Sequence, residues 1–179
     1  MRGDTDKERL ESFMRHLGRA CREPARVYFT GGSTALLFGW RESTVDIDLR
    51  FDPERDELFR AIAKLKDELD VNVELASPPD FIPEIPGWQE RSIFIAREGK
   101  VDFYHFDPYS QALSKIERGH AQDLKDVDSM FADKLIDVDK LISSYEAIES
   151  NLYRYPSIDA SKYRESLEGV LVRQRATGL

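Results

Sequence analysis

The sequence predicts an α/β protein of the α+β kind, with a mixed sheet of about five strands, flanking helices and a C-terminal helical extension. Three observations predict this fold. Helical apolar stripes alternate with short strand-like runs over the first 107 residues. A hairpin pattern, "SIFIAREGKVDFYHF", closes that region, and the periodicity is helical from residue 108 onward. We therefore expect a core over residues 1–107 and a helical extension over residues 108–179.

The first elements lie in the N-terminal third of the chain. "TDKERLESFMRHLGRACRE" carries one apolar helical stripe, with Thr5 or Asp6 as N-cap, and Pro24 ends the helix. "RVYFT" predicts a short buried strand, which "GGSTALLFGW" continues through a glycine turn into a short helix. "TVDIDLRF" alternates strictly and predicts a second strand. The residues expected on its inner face are Val45, Ile47, Leu49 and Phe51.

The remaining elements complete the sheet and the extension. "PERDELFRAIAKLKDEL" predicts an amphipathic helix with Pro53 in its first turn, and "VNVEL" predicts another alternating strand. "SPPDFIPEIPGW" contains four prolines and is predicted to be loop. The hairpin should turn near Glu98-Gly99, and the later helices should break at "RGH" and "YPS".

Composition and charge limit the function classes. Apolar residues make up 41% of the 179 residues and charged residues 34%, which is a globular balance. We expect a cytoplasmic protein with no membrane partner, because no stretch has transmembrane length and "MRGDTDKERL" lacks a signal sequence. The net charge of −8 argues against an extended nucleic-acid interface. It still permits a small nucleotide whose charge is carried by a metal ion.

Two aspartates stand on the outer face of the "TVDIDLRF" strand. Asp46 and Asp48 lie roughly 6–7 Å apart along the backbone, so their carboxylates repel each other unless a cation lies between them. Mg²⁺ prefers oxygen ligands of this kind. The alternative is that both aspartates merely solvate an open sheet face.

A glycine turn precedes this strand. Gly31, Gly32 and Ser33 lie where a strand passes into a helix, and exposed backbone N–H groups there favour an anion. Glycine allows close approach of phosphate oxygens, and the Ser33 hydroxyl can add a hydrogen bond. The alternative is a tight turn with a serine N-cap.

A third carboxylate follows the hairpin turn in "GKVDFYHF". Asp102 points away from Val101 and Phe103, and on a neighbouring strand it could join Asp46 and Asp48. The alternative is a surface aspartate near a turn. His105 is expected to be an ordinary hydrogen-bonded histidine.

Taken together, "GGS", "DID" twelve residues later and then "VDF" resemble the DNA-polymerase-β-like nucleotidyltransferase superfamily over roughly residues 26 to 106. "SKIERGHAQDLKD" further resembles the AbiEii-type nucleotidyltransferases of toxin–antitoxin and abortive-infection systems. That group carries a lysine, an arginine and an Asp-x-x-Asp, matched here by Lys115, Arg118, Asp123 and Asp126.

The resemblance implies a site and a reaction. Asp46, Asp48 and Asp102 would bind two Mg²⁺ ions and carry catalysis. The nucleoside triphosphate would be held by Gly31, Gly32, Ser33, Lys115 and Arg118. A nucleoside monophosphate would pass to an acceptor hydroxyl on RNA, a protein or a small molecule, with release of pyrophosphate. A cognate antitoxin or toxin protein is the partner that the AbiEii likeness implies.

Two other function classes stay open. One is a nucleotidyltransferase fold without catalysis that serves as a nucleotide- or partner-binding module. The other is a metal-dependent phosphohydrolase or nuclease, which also clusters acidic residues. The second class leaves the glycine turn unexplained and lacks an obvious supply of histidine ligands, since the chain has 3 histidines.

Overall fold

The computed structural model describes residues 2–178 and divides the chain into two compact units. The first unit comprises residues 1–77 and 92–106, and the second comprises residues 78–91 and 107–179. Residues 78–91, which the sequence pattern places with the core, share their contacts with the C-terminal helices instead. Within the described residues, no helix combines the length and the apolar character that crossing a membrane requires.

The first unit is built on a five-stranded mixed sheet in the order β3-β2-β1-β5-β4. The central strand β1 pairs antiparallel with β2 and parallel with β5. Strand β3 lies parallel to β2 at one edge, and β4 lies antiparallel to β5 at the other. The strands are β1 (Ala25–Thr30), β2 (Asp46–Asp52), β3 (Asn72–Glu74), β4 (Ile93–Glu98) and β5 (Val101–His105). This sheet confirms the predicted fold class.

The helices of this unit are α1 (Lys7–Ala20), α2 (Gly31–Phe38) and α3 (Asp56–Glu68). Helix α1 begins at the N-cap Asp6, whose Oδ1 accepts a hydrogen bond of 2.8 Å from the backbone N–H of Arg9. One apolar cluster joins the buried stripes of α1 and α3 to one face of the sheet. Its fully buried members include Leu10, Phe13, Leu17, Val27, Phe29, Ile47, Leu49, Leu58 and Phe103.

Alternation along β2 fixes which side chains leave this core. Ile47, Leu49 and Phe51 are buried, whereas Asp46 and Asp48 are half-buried on the other face. Val45 was expected to face the core, but it precedes the strand and is 58% exposed. Pro53 likewise lies before helix α3 and not in its first turn.

The second unit is helical. It contains α4 (Trp88–Arg91), α5 (Pro108–Arg118), α6 (Ala121–Ala132), α7 (Val138–Glu149), α8 (Ala160–Ala176) and two short 3-10 helices. Helix α5 ends at Arg118, and Gly119 caps it with a left-handed φ of 71°, which confirms the break predicted at "RGH". The hydroxyl of Tyr163 donates to the Leu113 carbonyl at 2.8 Å and ties α8 to α5. The segment "SPPDFIPEIPGW", which was predicted to be loop, contains a short 3-10 helix at Pro78–Asp80 and the first residue of α4.

Candidate active site

The glycine turn and the two-aspartate strand are in direct contact. Gly31 opens helix α2 with φ +59°, a conformation that glycine adopts without strain. A Cβ placed on Gly31 would lie 2.7 Å from Oδ2 of Asp48. The Asp48 carboxylate therefore occupies the space beside the first residue of the helix. Only glycine, which has no Cβ, leaves room for the Asp48 carboxylate at this position.

The second glycine packs against the loop that leads into β2. A Cβ on Gly32 would lie 2.1 Å from Oγ1 of Thr44 and 3.5 Å from Nη1 of Arg41. Thr44 is fixed at the same time, because its backbone exchanges hydrogen bonds of 2.7 and 2.9 Å with Thr5. Its hydroxyl also donates to the carbonyl of Asp46 at 3.1 Å. The turn, the loop and the first aspartate thus form one connected structure.

Strand register places another acid beside the pair. Asp48 lies opposite Thr30 on β1 and opposite Glu74 on β3, and Asp46 lies opposite Asn72. Residues paired across neighbouring strands point to the same face of a sheet. Glu74 is exposed, so it shares the solvent-facing side with both aspartates.

Ser33 lies in the first turn of α2 and is 0% exposed. Its Oγ has no hydrogen-bond partner within residues 2–178. A buried polar atom without a partner is rare in native proteins and calls for an explanation.

The structure does not bring Asp102 to this group. Asp102 is paired with Arg26 at the beginning of β1, whereas Asp48 is paired with Thr30 at its end. Four residues of strand separate those positions, which is about 13 Å. Asp102 instead accepts hydrogen bonds from Nε and Nη2 of Arg97 at 2.5 and 2.8 Å. These bonds hold the pKa of the Asp102 carboxyl below its usual value.

Lys115 and Arg118 lie in the second unit, on helix α5. Nζ of Lys115 contacts Asp126 at 2.7 Å and Asp123 at 3.4 Å, and all three side chains are buried. Arg118 is 53% exposed and binds both oxygens of Asp123 at 2.7 Å. Burial raises the pKa of Asp123, but Arg118 and Lys115 outweigh that effect and lower it. The four residues singled out in the sequence therefore form one charge network.

His105 is buried behind helix α2. Its Nδ1 lies 3.1 Å from the hydroxyl of Thr34, and its ring stacks on Phe38 with centroids 4.3 Å apart. Burial lowers the pKa of His105 to about 4. The histidine is therefore neutral near pH 7, and it is hydrogen-bonded as the sequence led us to expect.

The sequence patterns did not single out two residues near the turn, Glu74 and Arg41. Glu74 could have been found from the alternation of "VNVEL", which sets it on one face with Asn72. Arg41 had no such signal, since only its approach to Gly32 distinguishes it from other surface arginines.

The donor set beside the turn suits a hard divalent cation. Among residues 2–178, no three histidine, cysteine or acidic side chains are arranged to enclose a metal ion. Mg²⁺ does not need such an enclosure, because it commonly takes one or two protein carboxylates and completes its shell with water and substrate phosphates. Asp46 and Asp48 fit that requirement.

Comparison with known proteins agrees with this geometry. A family model described as a nucleotidyltransferase of unknown function (DUF6036) matches residues 8–168. No curated protein and no solved structure matches the chain. The match spans most of both units, including the glycine turn, the aspartate strand and the charge network of helix α5. The chain therefore belongs to this family of nucleotidyltransferases, DUF6036.

Proposed function

We propose that this nucleotidyltransferase is metal-dependent and moves a nucleoside monophosphate from a nucleoside triphosphate to an acceptor hydroxyl, with release of pyrophosphate. The observation that carries the proposal is the contact between Gly31 and Asp48. It joins an anion-binding turn to a pair of metal-binding carboxylates. A nucleoside triphosphate bound with Mg²⁺ needs both.

The glycine turn would hold phosphate oxygens. The first backbone N–H groups of helix α2 point out of its N-terminus, where the helix dipole is positive. Glycine at positions 31 and 32 lets the Asp48 carboxylate and Thr44 pack directly against this turn, so that a metal ion on Asp48 would lie beside it. The guanidinium of Arg41, close to Gly32, adds positive charge on the same side.

Asp46 and Asp48 would hold the Mg²⁺ ions that the resemblance implies. When bound, Mg²⁺ neutralises triphosphate charge and lowers the energy of the developing negative charge on the phosphates. Asp48 is fixed by the space beside Gly31, and Asp46 by the bond between Thr44 and its carbonyl. The Asp48 carboxylate and the Asp46 backbone would therefore be placed before the substrate arrives.

The third acid is better supplied by Glu74 than by Asp102. Glu74 lies next to Asp48 in register, so a water or hydroxyl at that edge of the sheet could pass a proton to its carboxylate. Asp102 lies about 13 Å along the strand and is engaged by Arg97.

We also keep Lys115 and Arg118 as proposed triphosphate ligands. Arg118 is the better of the two, because its side chain is 53% exposed while Lys115 is buried with Asp123 and Asp126. The proposals of an AbiEii-type role beside a cognate antitoxin or toxin, and of RNA, protein or a small molecule as acceptor, rest on the sequence resemblance alone. The proposal of a cytoplasmic protein rests on the hydropathy pattern of the sequence.

A second candidate is a nucleotide-binding module without catalysis. It is favoured by one observation: Asp102, the third acid that the resemblance implies, lies about 13 Å along the sheet from Asp48. Such a module would bind Mg²⁺ with the triphosphate at Asp46 and Asp48 and would transfer nothing.

The first experiment is thermal unfolding with each nucleoside triphosphate, with and without Mg²⁺. The Asp46→Asn variant is compared with Asp52→Asn, which changes an exposed acid at the other end of β2. We expect stabilisation that grows with ligand concentration in the wild type and in Asp52→Asn but not in Asp46→Asn. If Asp46→Asn responds like the wild type, the proposed site is wrong.

Transfer is then measured with the triphosphate that binds, labelled on its α-phosphate. Label on RNA, protein or a small molecule supports the transferase. Binding that needs Asp46, but yields neither labelled product nor pyrophosphate, supports the binding module.

A further inference from the structure

A cavity of about 440 Å³ opens in the first unit, at the end of the sheet away from Asp48. It lies where β1 and β5 begin and β2 ends, about 13 Å along the sheet from Asp48. Its size falls within the range of small-molecule sites. The proposed nucleotidyltransferase reaction makes no use of it.

Charged side chains cross the floor of this cavity in a row. Asp52 on β2 is opposite Arg26 on β1, Arg26 is opposite Asp102 on β5, and Asp102 is opposite Arg97 on β4. The signs alternate along the row, so the four charges cancel. Lys100 in the hairpin turn also lines the cavity and makes no ion pair within residues 2–178. The lining therefore carries an excess positive charge in a protein of net charge −8.

Both arginines are held in ways that leave donors for a ligand. Arg97 uses Nε and Nη2 on Asp102, and a guanidinium has five N–H donors, so its Nη1 hydrogens stay available. A hydrogen bond to Tyr28 holds Arg26 and raises its pKa. An arginine fixed by a neighbour loses less side-chain entropy when it binds an anion.

The turn that carries Lys100 is rigidly seated. Gly18 of α1 and Gly99 of the turn meet so closely that a Cβ on Gly18 would lie 2.4 Å from the Glu98 carbonyl oxygen. A Cβ on Gly99 would lie 2.6 Å from the Gly18 carbonyl oxygen. The turn therefore packs backbone to backbone on the helix, which fixes this wall of the cavity.

We propose that this cavity binds a small phosphomonoester. Arg26, Arg97 and Lys100 would hold the phosphate, since guanidinium groups match its oxygen geometry. The cavity is larger than a phosphate ion needs, and its other walls include Pro24, Pro53 and the Asp52 carboxylate. These walls suit the carbon skeleton and one hydroxyl donor of the ligand.

The test is a titration of the isotope-labelled protein with glycerol 3-phosphate, followed by amide NMR at about 0.15 M ionic strength. Glycerol is the control ligand. We expect saturable shifts at residues 97–102 with glycerol 3-phosphate and none with glycerol. Lys100→Gln should weaken binding about tenfold, because one of the three cations proposed to hold the phosphate loses its charge. Lys100 is an exposed turn residue, so the substitution should not disturb the fold.

A matched variant separates a built site from general anion attraction. Arg60→Gln removes an exposed cation on helix α3, outside the cavity, and should leave the affinity unchanged. Asp102→Asn should strengthen binding, because it removes a negative charge from the lining and releases Nε and Nη2 of Arg97, and an unchanged amide spectrum elsewhere shows that it folds. Absence of saturable shifts, or equal binding by wild type, Lys100→Gln and Asp102→Asn, overturns the proposal.

Discussion

Asp48 and Gly31 occupy complementary space: Oδ2 of Asp48 lies 2.7 Å from the position that a Gly31 Cβ would take. The two residues come from different elements, one from strand β2 and the other from the first turn of helix α2. Their contact means that the glycine turn and the two-aspartate strand cannot shift independently. Any side chain at Gly31 must displace the carboxylate.

The first prediction concerns that contact. Gly31→Ala should destabilise the protein by about 1–2 kcal/mol, from its positive φ, and abolish Mg²⁺-dependent stabilisation by nucleotide. Gly39→Ala is the control, because Gly39 has φ +81° but no atom within 4 Å of its Cβ position. It should show the strain without the loss of binding. Equal nucleotide responses from both variants would contradict the assignment.

Replacement of the buried Ser33 hydroxyl should have opposite effects on the stability of the free protein and on nucleotide binding. Ser33→Ala removes an atom without a hydrogen-bond partner in the described chain, so the free protein should gain about 1 kcal/mol in unfolding free energy. If the hydroxyl turns toward a phosphate in the complex, the stabilisation by Mg²⁺ and nucleotide should shrink at the same time. Chemical denaturation with and without ligand measures both effects. A variant that is less stable than wild type would refute this interpretation.

Glu74 and Asp102 compete for the role of third acid. Glu74→Gln should lower kcat at least tenfold with little effect on nucleotide binding, because a proton acceptor beside Asp48 is lost. Asp102→Asn should leave kcat unchanged. The check is steady-state pyrophosphate release by both variants, and the opposite ranking would restore Asp102 as the third acid.

The buried histidine predicts a pH dependence. Because its folded pKa of about 4 is below the ordinary value, the unfolded chain binds a proton first as pH falls from about 6.5 to 4. Stability should therefore fall over that window, by up to roughly 3 kcal/mol, and His105 should contribute no further loss below pH 4. Denaturation curves from pH 4 to 8 for wild type and His105→Gln isolate this slope. If the two slopes are equal, His105 is not the group responsible.

The charge network of helix α5 predicts unequal stability effects. Asp126→Ala should cost about 3 kcal/mol, because it removes the closest partner of a buried ammonium, that of Lys115. Glu149→Ala breaks the more exposed ion pair with Arg164 in the same unit and should cost less than about 1 kcal/mol. Urea denaturation compares the two. Similar losses would mean that the Lys115 ammonium does not depend on Asp126.

Local patterns in the sequence predicted much of this structure. The alternation of "TVDIDLRF" placed Asp46 and Asp48 on the face opposite the core, and the hairpin turn fell where "REGK" indicated. These features depend on residues close together in the chain. Their period and turn chemistry are written in the sequence.

The register between strands that are distant in sequence could not be predicted from local patterns. The pairing of Asp102 with Arg26, and of Asp48 with Glu74, depends on contacts between distant segments. Hydrophobic alternation sets which face a residue occupies but not its height along a parallel neighbour. For that reason the sequence identified three acids as residues of strands and grouped Asp102 with the aspartate pair, whereas the structure places it about 13 Å along the sheet from Asp48.

The strand order also constrains how the chain acquires its structure. Of the two strands that pair with β1, β2 is close in sequence, since it follows after one short helix, whereas β5 is distant. The chain between β1 and β5 includes residues 78–91, which belong to the other unit. The parallel pairing with β5 must close that long loop, so it should be the slow step in assembling the sheet. Until then one edge of β1 presents open N–H and C=O groups. A nascent chain that stalls before residue 101 would therefore leave this edge of β1 free to pair with a strand of another molecule. For the same reason, fragments ending at residue 77 should aggregate.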